Sequence, residues 1–490
     1  IIQLNILNYD DIFVQFFRLM RKKKFFKKVK VSNLSSKGNS ICKTNDGQVL
    51  IVKNGVPGDI VDVMTYKKRK NYFMGNIKNF HELSKERIQP KCTHFGVCGG
   101  CKWQNINYDA QIKFKENKVR HLFKTFEVDD KFDNIIKVEN QFYYRNKVEF
   151  SFTDNRWLTN NEINSTVRIK DKRGLGFHLT GMWNKVLDID KCFLQSDPSN
   201  KIRNSLKIFA INNNITFYNP KHHSGTLRTI MIRNNNAGEF MVVVQFIENN
   251  KSIIDLTMNF LKNSFKEIKS LNYVINKKVN DSIYDQKIIN YSGEKNIIEK
   301  INNLRFKINP KSFFQTNTNQ TLILYKVVRK LAKLTGNELV YDLYCGLGTI
   351  SQFLADNSKK IIGIESVEDA IYSARKSISA NKINNVEFVK GDMRKVLNDE
   401  LFSKYGRPDL LITDPPRDGM HKDVIKQILR ILPKKIIYVS CNPATQKRDL
   451  DLLLNHFKIS KIQPVDMFPH TDHVENVVLL KLKNKFSCIN

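Results

Sequence analysis

The sequence predicts a multidomain α/β protein with a small β-barrel, a central mixed α+β region and a C-terminal doubly wound, Rossmann-like domain. Three observations support this class. Short β-like runs broken by Gly and Pro fill residues 26–85, and apolar strands alternate with helical segments over 311–490. Between them, residues 86–310 begin with a cysteine cluster and continue from about 140 as a β-rich sequence with Asn-rich loops. Strands that are apolar throughout, placed between helices, are typical of a parallel sheet covered on both faces.

The N-terminal part begins with a basic extension, residues 1–25, for which no fold is predicted. Residue 1 is not Met, whereas Met20 precedes the basic run RKKKFFKK, so we expect residues 1–19 to be an upstream extension or the end of a truncated chain. The β-like runs that follow are VKVSNL, GQVLIVKNG, DIVDVMTYKK and YFMGNIKNF. Their spacing of about ten residues with Gly turns predicts an OB-like barrel, a common platform for nucleic acids.

The charge balance is strongly basic. The chain has 81 Lys and Arg against 48 Asp and Glu, a formal net charge of +33. Such a field attracts polyanions, so we expect a nucleic-acid partner, with a general bias toward Lys, Asn and Ile as the alternative explanation. No run approaches the roughly 18 to 20 apolar residues that span a bilayer, and the N-terminus is a poor signal peptide. We therefore expect a cytoplasmic protein without a membrane segment, and infer no obligate protein partner.

The first strand of the C-terminal sheet leads into a glycine-rich loop, DLYCGLGT at residues 342–349. Glycines there let the backbone approach a ligand closely. Glu365 ends the second strand, where it can accept hydrogen bonds from ribose hydroxyls, and Asp392 ends the third, within reach of an adenine amino group. A nicotinamide dinucleotide is the main rival, but Ser351 occupies the position of the third glycine that a pyrophosphate loop needs. The pattern favours S-adenosylmethionine.

A cysteine cluster precedes the central β-rich text. Cys92, Cys98 and Cys101 lie within ten residues, which predicts a metal site in a reducing compartment more than a disulfide framework. A fourth ligand is needed, and Cys192 is the available thiol outside the other motifs. On spacing alone, a structural zinc, which His94 could also serve, and an iron–sulfur cluster are equally favoured.

Five segments of the chain resemble the RNA (uracil-5-)-methyltransferase family, specifically its 23S rRNA-type members. They are YYRNKVEFSF at 143–152, INPKSFFQTN before the glycine-rich loop, DPPRDG, IIYVSCNPAT and DMFPHTDHVE. The last three follow one another in the order and spacing of the family. The cysteine cluster and the N-terminal barrel, which looks like a TRAM domain, fit the same family, so the resemblance extends over residues 25–483.

This resemblance implies roles for individual residues. Cys441 would be the nucleophile and Glu475 the base that removes a proton. Contacts with S-adenosylmethionine are implied for Gln315, Tyr344, Glu365 and Asp414, and also for Asp392, where related members often have Asn. A [4Fe–4S] cluster, in preference to zinc, is implied for Cys92, Cys98, Cys101 and Cys192, in a structural or RNA-positioning role.

The chemistry of uracil gives a physical reason for a cysteine and a base. Carbon 5 is a poor nucleophile, but a thiolate that adds to carbon 6 turns the ring into an enolate that is electron-rich at carbon 5. After methyl transfer, a base must remove the proton of carbon 5 so that the thiolate can leave. Cys441 follows an apolar strand at the edge that carries the glycine-rich loop, whereas Cys345, inside that loop, is expected to pack.

Three functions are compatible with these patterns. The favoured one is methylation of carbon 5 of a uridine in 23S rRNA, a step in rRNA processing. The second is the same chemistry on the T-loop of tRNA. The third is a non-catalytic RNA-binding factor for ribosome assembly, against which the intact Cys441 and Glu475 argue. A cytosine-C5 methyltransferase is disfavoured because its motif cysteines follow Pro or Thr, and no cysteine here does.

Overall fold

The computed structural model describes residues 23–484 and Phe486, so the expectations for residues 1–22 lie outside the described residues. The chain divides into two compact units. We call the first the barrel unit; it runs to Gly96 and includes residues 101–111 and 470–472. We call the second the large unit; it contains the remaining described residues. In the described part of the chain, no helix has both the length and the apolar character needed to cross a membrane.

The barrel unit contains a closed five-stranded β-barrel, which confirms the predicted small barrel. Its strands are β1 (Phe25–Leu34), β2 (Ser40–Lys43), β3 (Val49–Val52), β4 (Ile60–Lys68) and β5 (Phe73–Glu82). They are ordered β1-β2-β3-β5-β4, and the pairing of β1 with β4 closes the barrel. Gly75 is required on β5, because a Cβ there would lie 2.5 Å from Cγ1 of Val63 on β4.

The central part of the large unit is a mixed seven-stranded sheet in the order β12-β11-β10-β9-β6-β7-β8. Its strands are β6 (Lys147–Thr153), β7 (Gly174–Leu179), β8 (Met182–Asp188), β9 (Leu227–Asn234), β10 (Phe240–Phe246), β11 (Ile268–Ile275) and β12 (Ile288–Gly293). The pairs are antiparallel except β10–β11, which is parallel. Every residue of β10 is buried, as a strand covered on both faces requires.

Helices and a hairpin accompany this sheet. The helices up to this point in the chain are α1 (Tyr108–Phe123), α2 (Asn160–Ile163), α3 (Ser199–Asn212) and α4 (Lys251–Ser264). The crossover between the parallel strands β10 and β11 is α4, which packs beside α3 through stacked rings of Phe209 and Phe260, 4.0 Å apart. The hairpin of β13 (Ile297–Ile301) and β14 (Leu304–Ile308) leads into the C-terminal domain.

The C-terminal domain is the predicted doubly wound sheet, in the order β17-β16-β15-β18-β19-β21-β20. Its strands are β15 (Leu339–Leu343), β16 (Lys360–Glu365), β17 (Val386–Lys390), β18 (Leu410–Thr413), β19 (Lys435–Ser440), β20 (Phe457–Val465) and β21 (Glu475–Leu482). The strands from β15 to β19 are parallel, and β21 runs antiparallel between β19 and β20. Its first residue therefore lies at the edge where the parallel strands end.

Helices cover both faces of this sheet. They are α5 (Thr318–Ala332), α6 (Thr349–Leu354), α7 (Glu368–Ala380), α8 (Met393–Val396), α9 (Asp399–Tyr405), α10 (Lys422–Ile431) and α11 (Pro443–Leu453). The strand order reverses at β15, which has β16 on one side and β18 on the other. Ligands of open α/β sheets bind in the crevice at such a reversal, beyond the carboxyl ends of the strands.

Candidate active site

The glycine-rich loop after β15 has a backbone that only glycine adopts readily. Gly346 and Gly348 have φ of 55° and 67°. A Cβ at Gly348 would also lie 2.2 Å from Cζ of Phe388, whereas nothing lies within 4 Å of a Cβ at Gly346. Tyr344 holds a positive φ of 61° without being glycine. The loop is therefore shaped for close approach of a ligand at its start and for helix–sheet packing at Gly348.

Glu365 is held rigidly at the end of β16. Its Oε1 accepts hydrogen bonds from the backbone N–H groups of Ser366 at 2.7 Å and Val367 at 2.8 Å. Its Oε2 accepts one from the N–H of Gly346 at 3.1 Å. A carboxylate oxygen has more than one lone pair, so Oε2 can still accept a hydroxyl hydrogen from a ligand. The position suits recognition of a ribose next to the glycine-rich loop.

Asp342 lies in β15 opposite Ile412 of β18, and Asp414 directly follows Thr413, the last residue of β18. Burial raises the pKa of Asp342 to about 7, and burial together with the charge of Asp342 raises the pKa of Asp414 to about 7. The Ser351 hydroxyl donates to Oδ2 of Asp342 at 2.5 Å. In the described chain neither carboxyl forms an ion pair with a Lys, Arg or His. Such carboxyls favour a cationic ligand, which would replace their lost hydration.

Asp392, Tyr344 and Gln315, the other residues predicted to contact the cofactor, occupy three different settings. Asp392 caps α8, and its carboxylate binds the Arg394 guanidinium, which lowers its pKa to about 2. An adenine amino group would have to share these oxygens with Arg394. Burial raises the pKa of the Tyr344 hydroxyl to about 12. Gln315 lies between β14 and α5, where its backbone carbonyl accepts a hydrogen bond from Nδ2 of Asn146 at 2.8 Å.

Cys441 and Glu475 are brought together by strand register. Ser440, the last residue of β19, pairs with Asn476 of β21, so the next residue in each direction is Cys441 and Glu475. Burial raises the pKa of the Cys441 thiol to about 12, with smaller contributions from the charges of Glu475 and Asp414. Burial, then the charge of Asp414, raises the pKa of Glu475 to about 8. The thiol of Cys441 and the carboxyl of Glu475 thus lie close enough to Asp414 for its charge to affect both.

Arg417 is a site residue that the sequence interpretation did not single out. Its charge lowers the pKa of both Cys441 and Glu475, against the effect of burial. Its backbone carbonyl accepts hydrogen bonds from Nδ2 of Asn442 at 3.0 Å and Oγ1 of Thr445 at 3.1 Å. The segments DPPRDG and SCNPAT are therefore tied to each other. The sequence signal for Arg417 is its place within DPPRDG, but the importance of this residue depends on the contact between the two segments.

Asp449 is a second residue that the sequence did not reveal. Its Oδ2 accepts hydrogen bonds from the backbone N–H of Met420 at 2.8 Å and from the Tyr438 hydroxyl at 2.7 Å. Arg448 donates to its other oxygen. This buried carboxylate fixes the end of the DPPRDG loop against β19, the strand that presents Cys441.

Cys345 has the setting expected of a packing residue. It is 8% exposed, and its Sγ lies so close to Gly363 that a Cβ there would come within 3.0 Å of it. Burial, with the charges of Asp342 and Glu365, raises its pKa well above the ordinary value. A thiol in this position resists ionisation.

The expected iron–sulfur site is not supported. Across residues 23–484, no three or more Cys, His, Asp or Glu side chains are grouped so that they could hold a metal ion. Burial raises the pKa of the Cys92 thiol, Cys98 forms a β-bridge with Leu179, and the Cys192 backbone is held by Asn200. A cluster needs gathered thiolates. The ligand set Cys92, Cys98, Cys101 and Cys192 therefore remains without structural support.

Comparison with known proteins identifies the family. Residues 241–483 match the model of the tRNA (Uracil-5-)-methyltransferase family, and residues 27–77 match the TRAM domain. An uncharacterized RNA methyltransferase of Bacteroides thetaiotaomicron is 45% identical over 455 residues, which is 92% of this chain and 100% of that protein. The chain belongs to the RNA (uracil-5-)-methyltransferase family. It is an RNA methyltransferase with an N-terminal TRAM domain, as the sequence motifs predicted.

Two further relatives extend this family assignment. An uncharacterized RNA methyltransferase of Porphyromonas gingivalis is 43% identical and covers 92% of this chain and 99% of its own. Among solved structures, the Pyrococcus abyssi tRNA (uracil-54, C5)-methyltransferase in complex with S-adenosyl-L-homocysteine is 28% identical. It superposes with a TM-score of 0.72, over 92% of this chain and 99% of that one. The relatives therefore share the whole architecture and not only the methyltransferase domain.

Proposed function

We propose that this RNA methyltransferase methylates carbon 5 of a uridine in 23S rRNA, with S-adenosylmethionine as methyl donor and Cys441 as nucleophile. The observation that carries the proposal is the pairing of Ser440 with Asn476, which sets Cys441 beside Glu475. Both lie at the sheet edge where β15 and β16 present the glycine-rich loop and Glu365. Thiol, base and cofactor crevice are thus on one edge.

The crevice fits S-adenosylmethionine by the chemistry of its side chains. Glu365, fixed by three backbone N–H groups, would bind the ribose hydroxyls, while Asp342 and Asp414 would face the positive charges of the sulfonium and amino groups. Gln315 and Tyr344 would complete the contacts. When bound, the cofactor supplies an electrophilic methyl group. The complex of the Pyrococcus abyssi relative with S-adenosyl-L-homocysteine supports this choice of cofactor.

The residues of this chain then account for the remaining steps. The Cys441 thiolate forms a bond from Sγ to carbon 6, and the electrons of the 5,6 double bond move onto the carbonyl at carbon 4 as an enolate. Carbon 5 accepts the methyl group. Glu475 removes the carbon-5 proton, the double bond re-forms, and the Sγ–carbon 6 bond breaks to release Cys441 as thiolate.

Arg417 has a defined part in this proposal. With a pKa of about 12, the resting thiol of Cys441 is protonated at neutral pH. The thiol proton passes to solvent before the addition, and the thiolate that remains carries a negative charge among Glu475 and Asp414, where Arg417 is the side chain whose charge favours it. The contacts of its backbone with Asn442 and Thr445 keep it next to the nucleophile.

The choice of RNA is the second part of the proposal. The resemblance of the motifs to the 23S rRNA-type members supports 23S rRNA, and the TRAM domain supports an RNA partner without distinguishing rRNA from tRNA. The tRNA alternative has a specific observation in its favour, since the Pyrococcus abyssi tRNA (uracil-54, C5)-methyltransferase matches this chain over nearly its full length.

One assay separates the RNA substrates. Unmodified transcripts of 23S rRNA and of a tRNA set are incubated with the enzyme and S-adenosylmethionine, and nucleosides are quantified by mass spectrometry. We expect 5-methyluridine in the 23S transcript alone, and none with Cys441→Ala. Formation in tRNA alone would replace the rRNA assignment with the tRNA one. RNA binding without 5-methyluridine in either would favour the non-catalytic assembly factor.

A further inference from the structure

Two hydroxyl groups that take no part in the proposed methyl transfer form a hydrogen-bonded pair where α5 meets α6. Oη of Tyr325 and Oγ1 of Thr349 are 2.6 Å apart, and either can be the donor. Tyr325 lies in α5 and is 3% exposed, whereas Thr349 is the first residue of α6, directly after the glycine-rich loop. Thr349 is partly exposed, between the buried residues Gly348 and Ile350. Thr349 is therefore the member of the pair that a ligand beside the loop can reach.

The position of the Tyr325 hydroxyl is fixed by packing. The Tyr325 ring lies against Phe353 of α6, with the ring centres 5.7 Å apart. The guanidinium of Arg329 lies 4.1 Å from the centre of the same Phe353 ring, and both aromatic rings belong to one buried core. A ring packed in this way does not follow a ligand. Its hydrogen bond therefore holds the Thr349 hydroxyl in one orientation before any ligand binds.

The pair lies with Asp414 and not with Glu365. Helix α5 packs against β19, β20 and β21, which lie beyond β18 in the sheet, whereas Glu365 ends β16 on the other side of β15. Burial raises the pKa of the Tyr325 hydroxyl, and the charges of Asp414 and Asp342 raise it further, so both carboxyls are near enough to act on it. A cofactor whose ribose is bound by Glu365 would therefore place its amino-acid end, and not its adenosine, toward the pair.

The pair has one hydroxyl proton to spare. Two hydroxyl groups carry two protons, and the bond between them uses one. Within the described chain, neither Oη of Tyr325 nor Oγ1 of Thr349 makes another hydrogen bond, so the second proton is available to an acceptor. The amino-acid end of S-adenosylmethionine has one anionic acceptor, its carboxylate. Its amino and sulfonium groups are cationic and suit Asp342 and Asp414 instead.

We propose that Thr349 donates this hydrogen bond to the carboxylate of the methionyl group of S-adenosylmethionine, and that Tyr325 positions the Thr349 hydroxyl for it. The inference rests on the proposed function, because it concerns the same cofactor, and it adds a specificity to it. The methyl group, the sulfonium and the adenosine are all present in a cofactor that lacks the carboxylate. The hydroxyl pair makes the enzyme select a cofactor with a complete amino-acid end.

The test measures binding to the full-length protein by isothermal titration calorimetry, with three ligands. They are S-adenosylmethionine, its decarboxylated analogue, which keeps the sulfonium and the amino group, and 5′-methylthioadenosine, which lacks the amino-acid end. Thr349→Val removes the hydroxyl at nearly the same shape, and Thr349→Ser keeps it. We expect Thr349→Val to weaken binding of S-adenosylmethionine at least about tenfold, the scale of a hydrogen bond to a charged group, and binding of the decarboxylated analogue less than about twofold. Thr349→Ser should bind both as the wild type does.

A second variant tests the positioning role. Tyr325→Phe keeps the packed ring and removes only the bond to Thr349. We expect it to weaken binding of S-adenosylmethionine about threefold and to leave binding of the decarboxylated analogue unchanged. The proposal would be overturned if Thr349→Val weakened both ligands equally, which is the sign of a general structural effect, or if it weakened neither.

The third ligand separates this inference from the proposed function. 5′-Methylthioadenosine should bind equally to the wild type and to all three variants, because it reports only on the adenosine side of the crevice. A wild-type protein that bound none of the three ligands would overturn the choice of cofactor, and this inference with it. Binding of all three ligands without any effect of Thr349→Val would overturn the inference alone.

Discussion

The surroundings of Glu475 raise its pKa into the range that suits a general base. It is 3% exposed and its pKa is raised to about 8 by burial and by Asp414. A base is most effective when its pKa lies near the working pH, because it then ionises readily yet binds a proton firmly. An ordinary carboxylate with a pKa near 4.5 would be a weaker base toward carbon 5.

The proposed role of Glu475 predicts that its replacement traps the enzyme on RNA with natural uridine. In Glu475→Gln, Cys441 can still add to carbon 6, but the proton of carbon 5 stays in place after methylation. We expect turnover to fall by about 10²- to 10⁴-fold and a covalent RNA complex with natural uridine to accumulate on denaturing gels. Glu368→Gln, the same change on an exposed side chain, should leave the rate unchanged. Normal turnover by Glu475→Gln would remove Glu475 from the mechanism.

The pH dependence follows from the same residue. Glu475 must be ionised to accept a proton, and its pKa of about 8 lies above its ordinary value. The active form is therefore depleted below that pKa and gained as pH rises through it. We expect kcat/KM, which reports on groups of the free enzyme, to increase between pH 6 and about pH 8. A profile that is flat across this interval would contradict the assigned ionisation.

From the sequence alone, candidate site residues could be named only where they stand inside an unbroken motif. Cys441 and Glu475 stand in SCNPAT and DHVE, and the structure brings both to one edge. Arg417 and Asp449 were not identified, because their importance comes from contacts with residues more than ten positions away, such as Asn442 and Met420. No local spacing encodes those contacts.

At the scale of elements, the loop between β15 and α6 contains two glycines, and each is required for a different structural reason. Both have a positive φ, but only at Gly348 would a Cβ also meet the Phe388 ring, 2.2 Å from Cζ. Phe388 is buried in the core that β17 shares with β15 and β16. The ring cannot move without repacking that core.

This difference predicts unequal costs of two alanine substitutions. Gly346→Ala carries only the backbone cost of a positive φ, about 1 kcal/mol. Gly348→Ala adds the clash with Phe388, for a total of about 2 to 4 kcal/mol. Urea unfolding followed by circular dichroism measures both as free energies of unfolding. If the two variants lost equal stability, the close packing at Gly348 would be wrong.

Element types were largely accessible from sequence, and their pairing was not. Apolar strands such as LVYDL and LLIT predict a buried parallel sheet, and β-like runs separated by Gly predict the barrel. The parallel pair β10–β11 inside an otherwise antiparallel sheet has no local signal, because it depends on which way α4 carries the chain. The insertion of β21 between β19 and β20 is of the same kind, and it is what positions Glu475.

At the scale of the whole molecule, charge should dominate affinity for RNA. The sequence carries a formal net charge of +33. Each phosphate neutralised by Lys or Arg releases counterions, so binding weakens linearly on a log–log plot of affinity against salt. We expect affinity for the transcript to fall by about 10³-fold between roughly 50 and 200 mM KCl, as for six or more phosphate contacts. Affinity independent of salt would show that the basic composition has no part in RNA binding.

The central claim is covalent catalysis by Cys441, and one measurement tests it most directly. RNA containing 5-fluorouridine is incubated with the enzyme and S-adenosylmethionine, then digested, and the modified peptide is located by mass spectrometry. Fluorine cannot leave carbon 5 as a proton, so the enzyme should remain attached to the methylated base through the Sγ of Cys441. Cys345→Ala should still form this adduct and Cys441→Ala should not. An adduct on any other residue, or one that persists in Cys441→Ala, would contradict the mechanism.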